Sequence, residues 1–386
     1  MHHRKLCWMF CIVLLLSVLI SSHASGDIKT DGLDLEVKYQ NGLLIKTPDD
    51  NYSLKLSFRF QPYFMYTDLE NDTGSTLKFR RARIIAGGTV MYPWLQYETQ
   101  LTLEGEETSV RDATVEAAYF KQMKLKVGQF KVPFDREFLL SGFGLQLVER
   151  SIASSEFSPQ RDIGFQLAGE NLWDVVEYSV GIFNGSGANK DNVDNDYMCT
   201  GRLVWTPAGG SYPYWQAALN TPEKLHLAIG FGFAYMPDLE VGEREILAGR
   251  LGRSTTLPAR SDVIQYTADV ALAYLNFSFE GGYHYREIKP KELTAYGTQD
   301  ANGLYVQGGY FIVPKKIEVA ARYAVVEPDN PGKIYDNRQS EITGGGSYYL
   351  SGHRVKFQTS YSLITTETSN GDEDEHRVLG AMVLQF

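Results

Sequence analysis

Residues 225–235 read LHLAIGFGFAY, and their parity decides the fold. Leu225, Leu227, Ile229, Phe231, Phe233 and Tyr235 fall on one side of an extended chain, while His226, Ala228, Gly230, Gly232 and Ala234 fall on the other. Six large apolar groups therefore oppose five mostly small ones. The same beat of two recurs at Leu54/Leu56/Phe58/Phe60 against Lys55/Ser57/Arg59/Gln61, and at Leu95/Tyr97/Leu101/Leu103 against Gln96/Glu98/Gln100/Glu104. It returns at Val355/Phe357/Tyr361/Leu363 against Lys356/Gln358/Ser360/Ser362.

Carried along the chain, this pattern predicts about sixteen strands, near residues 52–66, 76–92, 94–104, 109–120, 123–131, 162–170, 175–184, 198–206, 224–236, 262–275, 277–287, 301–313, 316–326, 338–350, 353–366 and 375–386. The connections alternate between long and short. Asn, Asp and Gly collect in 67–75, 132–161, 185–197, 237–261, 288–300, 327–337 and 367–374, whereas Pro93, Gln122, Asn276, Pro314-Lys315 and Ser351-Gly352 mark tight turns. Two connections break the rule: 105–108 is short for its side, and 207–223 is long.

Rows of Leu, Phe and Tyr on an outward face need hydrocarbon rather than water. Strands in hydrocarbon must also close on themselves, because no solvent satisfies an open edge. The expected fold is therefore all-β, a transmembrane antiparallel β-barrel occupying 52–386. The chain ends on RVLGAMVLQF, whose Val378, Gly380, Met382, Leu384 and Phe386 share one parity, as a closing strand requires.

Arg4 and Lys5 precede the apolar run Leu6–Ile20, and Ser22-His23-Ala24 offers a small-x-small cleavage site, so residues 1–24 read as an export signal. That run is short for a spanning helix, which argues against an uncleaved anchor. Cleavage removes two cations and no acid, leaving 35 Lys+Arg against 47 Asp+Glu, a net charge of −12. Such a balance excludes nucleic acid as a partner. Only Cys199 lies beyond the cut, so no intrachain disulfide is expected. Residues 25–51 read as an N-terminal periplasmic segment, in which Tyr39 to Lys46 fits either a short strand or a contact between protomers.

Three segments, FRRARIIAGG (79–88), KVGQFKVPFDREFL (126–139) and ERSIASSEFSPQRDIGFQLAG (149–169), resemble the phosphate-selective porin O and P family of Gram-negative outer membranes. The resemblance implies a sixteen-stranded, trimeric porin of the cell outer membrane whose third external loop folds into the lumen and narrows it. It also implies inward Arg and Lys that draw anions through. The terminal Phe386 is similar to the signal that barrel-assembly machinery reads. Apart from the resemblance, the stretch from Lys131 to Asp162 is the longest connection and carries the apolar patches Phe138-Leu139-Leu140 and Leu145-Gln146-Leu147-Val148. Packing against the inner wall would use those patches; an external lid or a protomer contact is the alternative.

The pore-lining and constriction candidates are Arg59, Lys78, Arg80, Arg81, Arg83, Lys124, Lys126, Lys131, Arg136, Arg150 and Arg161. Of the four cations at 78–83, strict parity sends two inward and two to the headgroups, where lipid phosphates would hold them. Lys124 and Lys126 share a face and could form a cationic ladder or simply hydrate the wall. Inward acids are as numerous: Glu98, Glu104, Asp112, Glu116, Glu177, Asp269, Glu280, Glu318 and Glu341. The long loop sets four cations against Asp135, Glu137, Glu149, Glu156 and Asp162. A phosphate site wants converging cations without neighbouring carboxylates, and the one-dimensional pattern offers none.

The run DNVDND (191–196) could hold a divalent cation but lacks the spacing and glycine of a calcium loop, so a solvated tip is the plainer reading. No phosphate loop, His-Glu-x-x-His or Gly-x-Ser-x-Gly motif is present, and no enzyme or cofactor is expected. The function expected is passive diffusion of small hydrophilic solutes and ions, including anions such as phosphate, through an outer membrane whose lipids surround the wall. The alternative is a plugged barrel acting as an adhesin, suggested by the long loops at 237–261 and 288–300.

Overall fold

The computed structural model describes residues 26–386 apart from 31–32, 70–71, 106–107, 193–194, 209–214, 221, 240–259, 293–296 and 331–336. The export signal assigned to 1–24 lies outside the described residues, as do most of loop 237–261 and part of loop 288–300. Nineteen strands are described: β1 (Gly26–Thr30), β2 (Leu33–Tyr39), β3 (Leu43–Lys46), β4 (Ser53–Leu69), β5 (Asp72–Val90), β6 (Tyr92–Thr102), β7 (Ser109–Phe120), β8 (Met123–Lys131), β9 (Arg161–Leu172), β10 (Val176–Phe183), β11 (Met198–Trp205), β12 (His226–Leu239), β13 (Ser261–Tyr274), β14 (Phe277–Pro290), β15 (Gln299–Val313), β16 (Ile317–Asn330), β17 (Gln339–Ser351), β18 (Val355–Thr368) and β19 (Gly371–Gln385). Two short helices, α1 (Arg136–Leu139) and α2 (Ile152–Phe157), lie between β8 and β9.

Each strand from β4 to β19 pairs antiparallel with its successor, and β19 pairs with β4 from Glu375↔Leu69 to Gln385↔Arg59. The ring is closed and has sixteen strands, one for each segment that the alternation marks. Closure ends on Phe386, whose N–H donates to Phe58 O at 3.0 Å while Phe58 N–H donates to Phe386 O at 2.6 Å. The ring of Phe386 stacks on Phe58 at 5.8 Å and tilts against Phe60 at 5.9 Å.

The exterior carries the large apolar parity. In β12, Phe231 is 55% exposed while its inward neighbours Ala228 and Ala234 are 2% and 0% exposed, the reverse of a water-soluble sheet. Aromatic residues cluster at the short-turn end, where Tyr92 stacks on Trp94 at 5.1 Å, Trp94 meets Tyr119 edge-on, and Phe120 follows. Tyrosines such as Tyr266 and Tyr285 mark the other border. In β14, Phe277 and Tyr285 are eight residues apart, about 20 Å along the normal for a strand tilted near 40°. That covers most of the apolar band of an outer-membrane barrel, about 25 Å tall.

Two expected loops are shorter than their composition suggests. The described residues of 67–75 and 367–374 largely continue the flanking strands, with a turn at 369–370. Asn and Gly at 370–371 supply the tight turn, with Gly371 at φ 123°. Residues 25–51 are also more ordered than their sequence advertises, since they hold β1–β3, with β3 paired to β4.

Replacing Phe386 with Ala should weaken the seam by about 1–2 kcal/mol through lost aromatic packing. The check is gel mobility with and without heating, in which the variant should shift to the unfolded position at a lower temperature than the native chain.

Candidate functional site: the inner wall and the segment 132–160

The segment between β8 and β9 is built to be buried. Asp135 caps α1, accepting from Phe138 N–H at 2.9 Å, and also receives the hydroxyls of Ser158 (2.8 Å) and Ser154. Ser151 caps α2 by accepting from Ser154 N–H at 3.0 Å, and Glu137 receives Ser151 through N–H (3.1 Å) and Oγ (2.5 Å). These acids serve the loop's own fold, so they are not free to face solvent.

The same segment bonds to wall residues on the parity opposite the lipid-facing rows. Arg136 Nε donates to Glu280 at 3.0 Å, and Tyr305 and Gln216 donate to the same carboxylate at 3.0 and 3.2 Å. Gln146 donates to Ser278 and to Glu318, each at 2.6 Å, and its carbonyl receives Ser347 and Gln358. Lys356 donates to Leu145 O at 2.6 Å. Arg322 joins Glu341 (2.5 Å) to the carbonyls of Glu149 and Arg150, and Ile152 N–H reaches Glu341 at 2.9 Å. Arg202 bridges Asp269 (2.7 and 2.9 Å) to Phe134 O (2.6 Å).

The small parity of the opening stretch now has a cause. A Cβ at Gly232 would lie 2.5 Å from Phe134 O; one at Gly303 would meet Phe157 at 2.5 Å, and one at Gly345 would meet Leu147 at 2.8 Å. Inward glycines leave the room that the loop's backbone and rings occupy. A second connection reaches the same place from the opposite end: within 206–225, Gln216 accepts from Gln146 N–H at 3.0 Å, and Trp215 stacks on His353 at 4.6 Å.

Glu280, Glu318 and Glu341 are buried at contacts with segment 132–160, Asp269 is reached through Arg202, and the wall cations Arg202, Arg286, Arg322 and Lys356 are buried against the same segment. The opposite side of the interior stays open as a cavity of about 520 Å³ against β4–β10. Ten basic side chains line it, among them Arg59, Arg81, Arg83, Lys124, Lys126, Lys131, Arg150 and Arg161, against five acids, Glu98, Asp112, Glu116, Glu170 and Glu177. Toward the short-turn end it shares Arg59, Glu98, Thr114, Glu116 and Lys126 with a second cavity of about 980 Å³. Toward the long-connection end it shares Arg111 and Arg161 with a third of about 150 Å³.

Several of these cations are partnered. Lys124 pairs with Glu170 (2.8 Å), Lys126 with Glu116 (2.7 Å), Arg161 with Asp112 (3.0 Å) and Arg83 with Glu104. Lys131 donates to the carbonyls of Leu139 and Leu140 (2.9 and 2.8 Å) and lies 5.7 Å over the ring of Phe138. Arg150 donates to the carbonyls of Glu137, Phe138 and Leu140.

The two-and-two division of the cations at 78–83 does not hold, because β5 carries a bulge. Gln61 pairs with Arg81 and Pro62 with Phe79, which leaves Arg80 as the extra residue and reverses the parity across it. Arg80 and Arg81 both reach Glu149, Arg81 and Arg83 are buried, and Lys78 lies 5.7 Å over the ring of Tyr63. Arg136, placed among the lining candidates, is buried against Glu280. A second bulge was invisible to parity: Gln100 pairs with Asp112 and Leu101 with Val110, so Arg111 is extra. Strict alternation from Val115 and Ala113 would put Arg111 into lipid, and that improbable placement is the signal that could have revealed it. In DNVDND, Asn192 bonds the turn itself, to Asp196 O at 2.7 Å and from Asn195 N–H at 2.8 Å, while 193–194 lie outside the described residues.

The model of the family described as phosphate-selective porin O and P matches residues 54–386. Porin O of Pseudomonas aeruginosa is 26% identical over 355 residues, which span 82% of this chain and 78% of that protein. Among solved structures, an anion-selective porin from Comamonas acidovorans superposes with a TM-score of 0.60 at 13% identity, covering 86% of this chain and 99% of that one. The trimer form of OmpT from Vibrio cholerae gives 0.53 at 15% identity, with 86% and 99% covered. At those identities the two structures attest the barrel. With the family model spanning every strand of the closed ring, the chain belongs to the phosphate-selective porin O and P family of outer-membrane channels.

Proposed function

We propose that segment 132–160 folds into the lumen, covers the wall opposite β4–β10, where acids and cations are equally numerous, and leaves a basic path along β4–β10 through which small anions diffuse. The observation that carries this reading is the charge of the central cavity, ten basic side chains to five acidic, in series with a cavity at each end. Basic side chains that line a confined aqueous space raise the local concentration of anions. Arg111, for which no described residue supplies an ion pair, stands at the neck toward the long-connection end. The path holds its cations apart rather than in one tight cradle, which favours a preference for anions such as phosphate without tight capture. The chain works as a passive channel rather than a catalyst, after export directed by residues 1–24. It is a homotrimer in this reading, supported by the trimer form of OmpT among the structural neighbours. Lipids surround the wall, and Phe386 serves assembly.

Reconstituted in a planar bilayer under a salt gradient, the channel should give stable ohmic steps and a reversal potential of the sign set by chloride. Arg111→Glu should move that potential toward zero. Folded protein that does not conduct, or that prefers potassium, would overturn the reading; binding of a surface ligand without conductance would favour the adhesin.

The seating of the loop gives two further outcomes. Arg136→Ala leaves Glu280 buried without its cation, a loss of about 3–5 kcal/mol by the usual cost of breaking a buried pair, and should appear as open-channel noise and subconductance steps. Burial pushes the Glu137 carboxyl from the ordinary 4.5 up to about 7, partly opposed by Arg322 and reinforced by Glu280. The seated loop thus holds a proton that a released loop gives up, so seating is firmest below the ordinary value and weakens as pH rises from 4.5 to about 7. Noise should grow over that window in the native chain and lose its pH dependence in Glu137→Gln.

A further inference from the structure

β1–β3 stand outside the sixteen-strand ring, and a mismatch at the seam fixes where they go. β19 runs out at Phe386, opposite Phe58, but β4 continues five residues further, to Ser53. Over that stretch one edge of β4 is already bonded to β5, with Lys55↔Gly87 and Leu56↔Ala86. The edge vacated by β19 would therefore present bare N–H and C=O groups. β3 occupies it, from Leu43↔Leu56 to Lys46↔Ser53, running in the same direction as β19.

Two local features hold the hairpin there. Gly42 has φ +135°, and a Cβ on it would lie 2.7 Å from Leu56 O, so only glycine allows the bend to approach β4 this closely. Arg354, in the turn between β17 and β18, donates through Nη1 to Asn41 Oδ1 at 3.0 Å and through Nη2 to Ser351 Oγ at 2.8 Å. That bond crosses the seam and ties the bend to the turn on its far side. Gln40, Asn41 and Leu44 consequently line the 980 Å³ cavity at the short-turn end, together with Lys55, Arg354 and Phe386.

We propose that residues 33–46 are a strap that completes the seam where the C-terminal strand ends and forms one wall of the channel's exit, so that the N-terminal segment sets the exit's width. The inference rests on the channel reading and assigns a role to a part of the chain that the reading leaves idle.

The test begins without conductance. In a Cys199→Ser background, Leu44→Cys and Lys55→Cys face each other directly across β3 and β4, within the Cα separation a disulfide accepts. Oxidation of the assembled protein should form an intrachain cross-link, with the same single-channel conductance in the double variant before and after oxidation. Asn41→Ala and, separately, deletion of residues 33–46 should raise conductance and lower the temperature at which the barrel unfolds on a gel. Absence of the cross-link in a conducting barrel would overturn the strap, as would a deletion that folds and changes neither conductance nor heating temperature. If the deletion does not fold, the cross-link and Asn41→Ala decide. A native chain that folds but never conducts, while the double-cysteine variant cross-links, would defeat the channel reading and leave the strap's pairing intact.

Discussion

Everything in this molecule follows from one constraint: a peptide edge in hydrocarbon has no water to bond. A single unpaired N–H or C=O there costs several kcal/mol, and a sheet edge carries a row of them. The sixteen-strand ring answers the constraint for the bilayer, and the closing pair of Phe58 with Phe386 is where the answer is completed. The constraint also explains why large apolar residues point outward and why the interior is left to polar and small ones. With the outer face committed to lipid, the chain can vary only what it places inside.

The interior is organised by which charges find partners and which do not. Glu280, Glu318 and Glu341 are matched to donors of segment 132–160, and the loop's own Asp135 and Glu137 are consumed by its caps and turns. A chain of net negative charge thus presents a basic surface where its cavity is open. Net charge and local field are separate quantities here.

The strands were legible because each repeats a two-residue beat against hydrocarbon, a signal that survives averaging over a whole wall. All sixteen strands of the ring, from Ser53 to Gln385, fall where alternation places them. What the beat does not carry is pairing between residues far apart in sequence. Glu280 and Arg136 lie 144 positions apart, and nothing local to either says that one neutralises the other. Counting charges along the chain therefore gave a mixed wall without showing which acids and cations pair across it. The glycines at 232, 303 and 345 were visible as small residues, but the loop groups that need their space were not. β3 was hard to read for a related reason: it is four residues long, and its place depends on where another strand stops.

The bulges at Arg80 and Arg111 bear on how such a wall can change over time. One codon inserted into a spanning strand ordinarily turns every later side chain inside out, which would drive polar groups into the membrane and greasy ones into water. A bulge absorbs the extra residue locally: beyond Arg80, Ala82, Ile84 and Ala86 resume the outward row that Leu77 and Phe79 had held, and register with β4 is kept. An inserted arginine can enter the interior this way without any repainting of the greasy exterior. The barrel's conducting chemistry can therefore be edited by single-residue insertions, a mutational route that a sheet bound strictly to alternation would not survive.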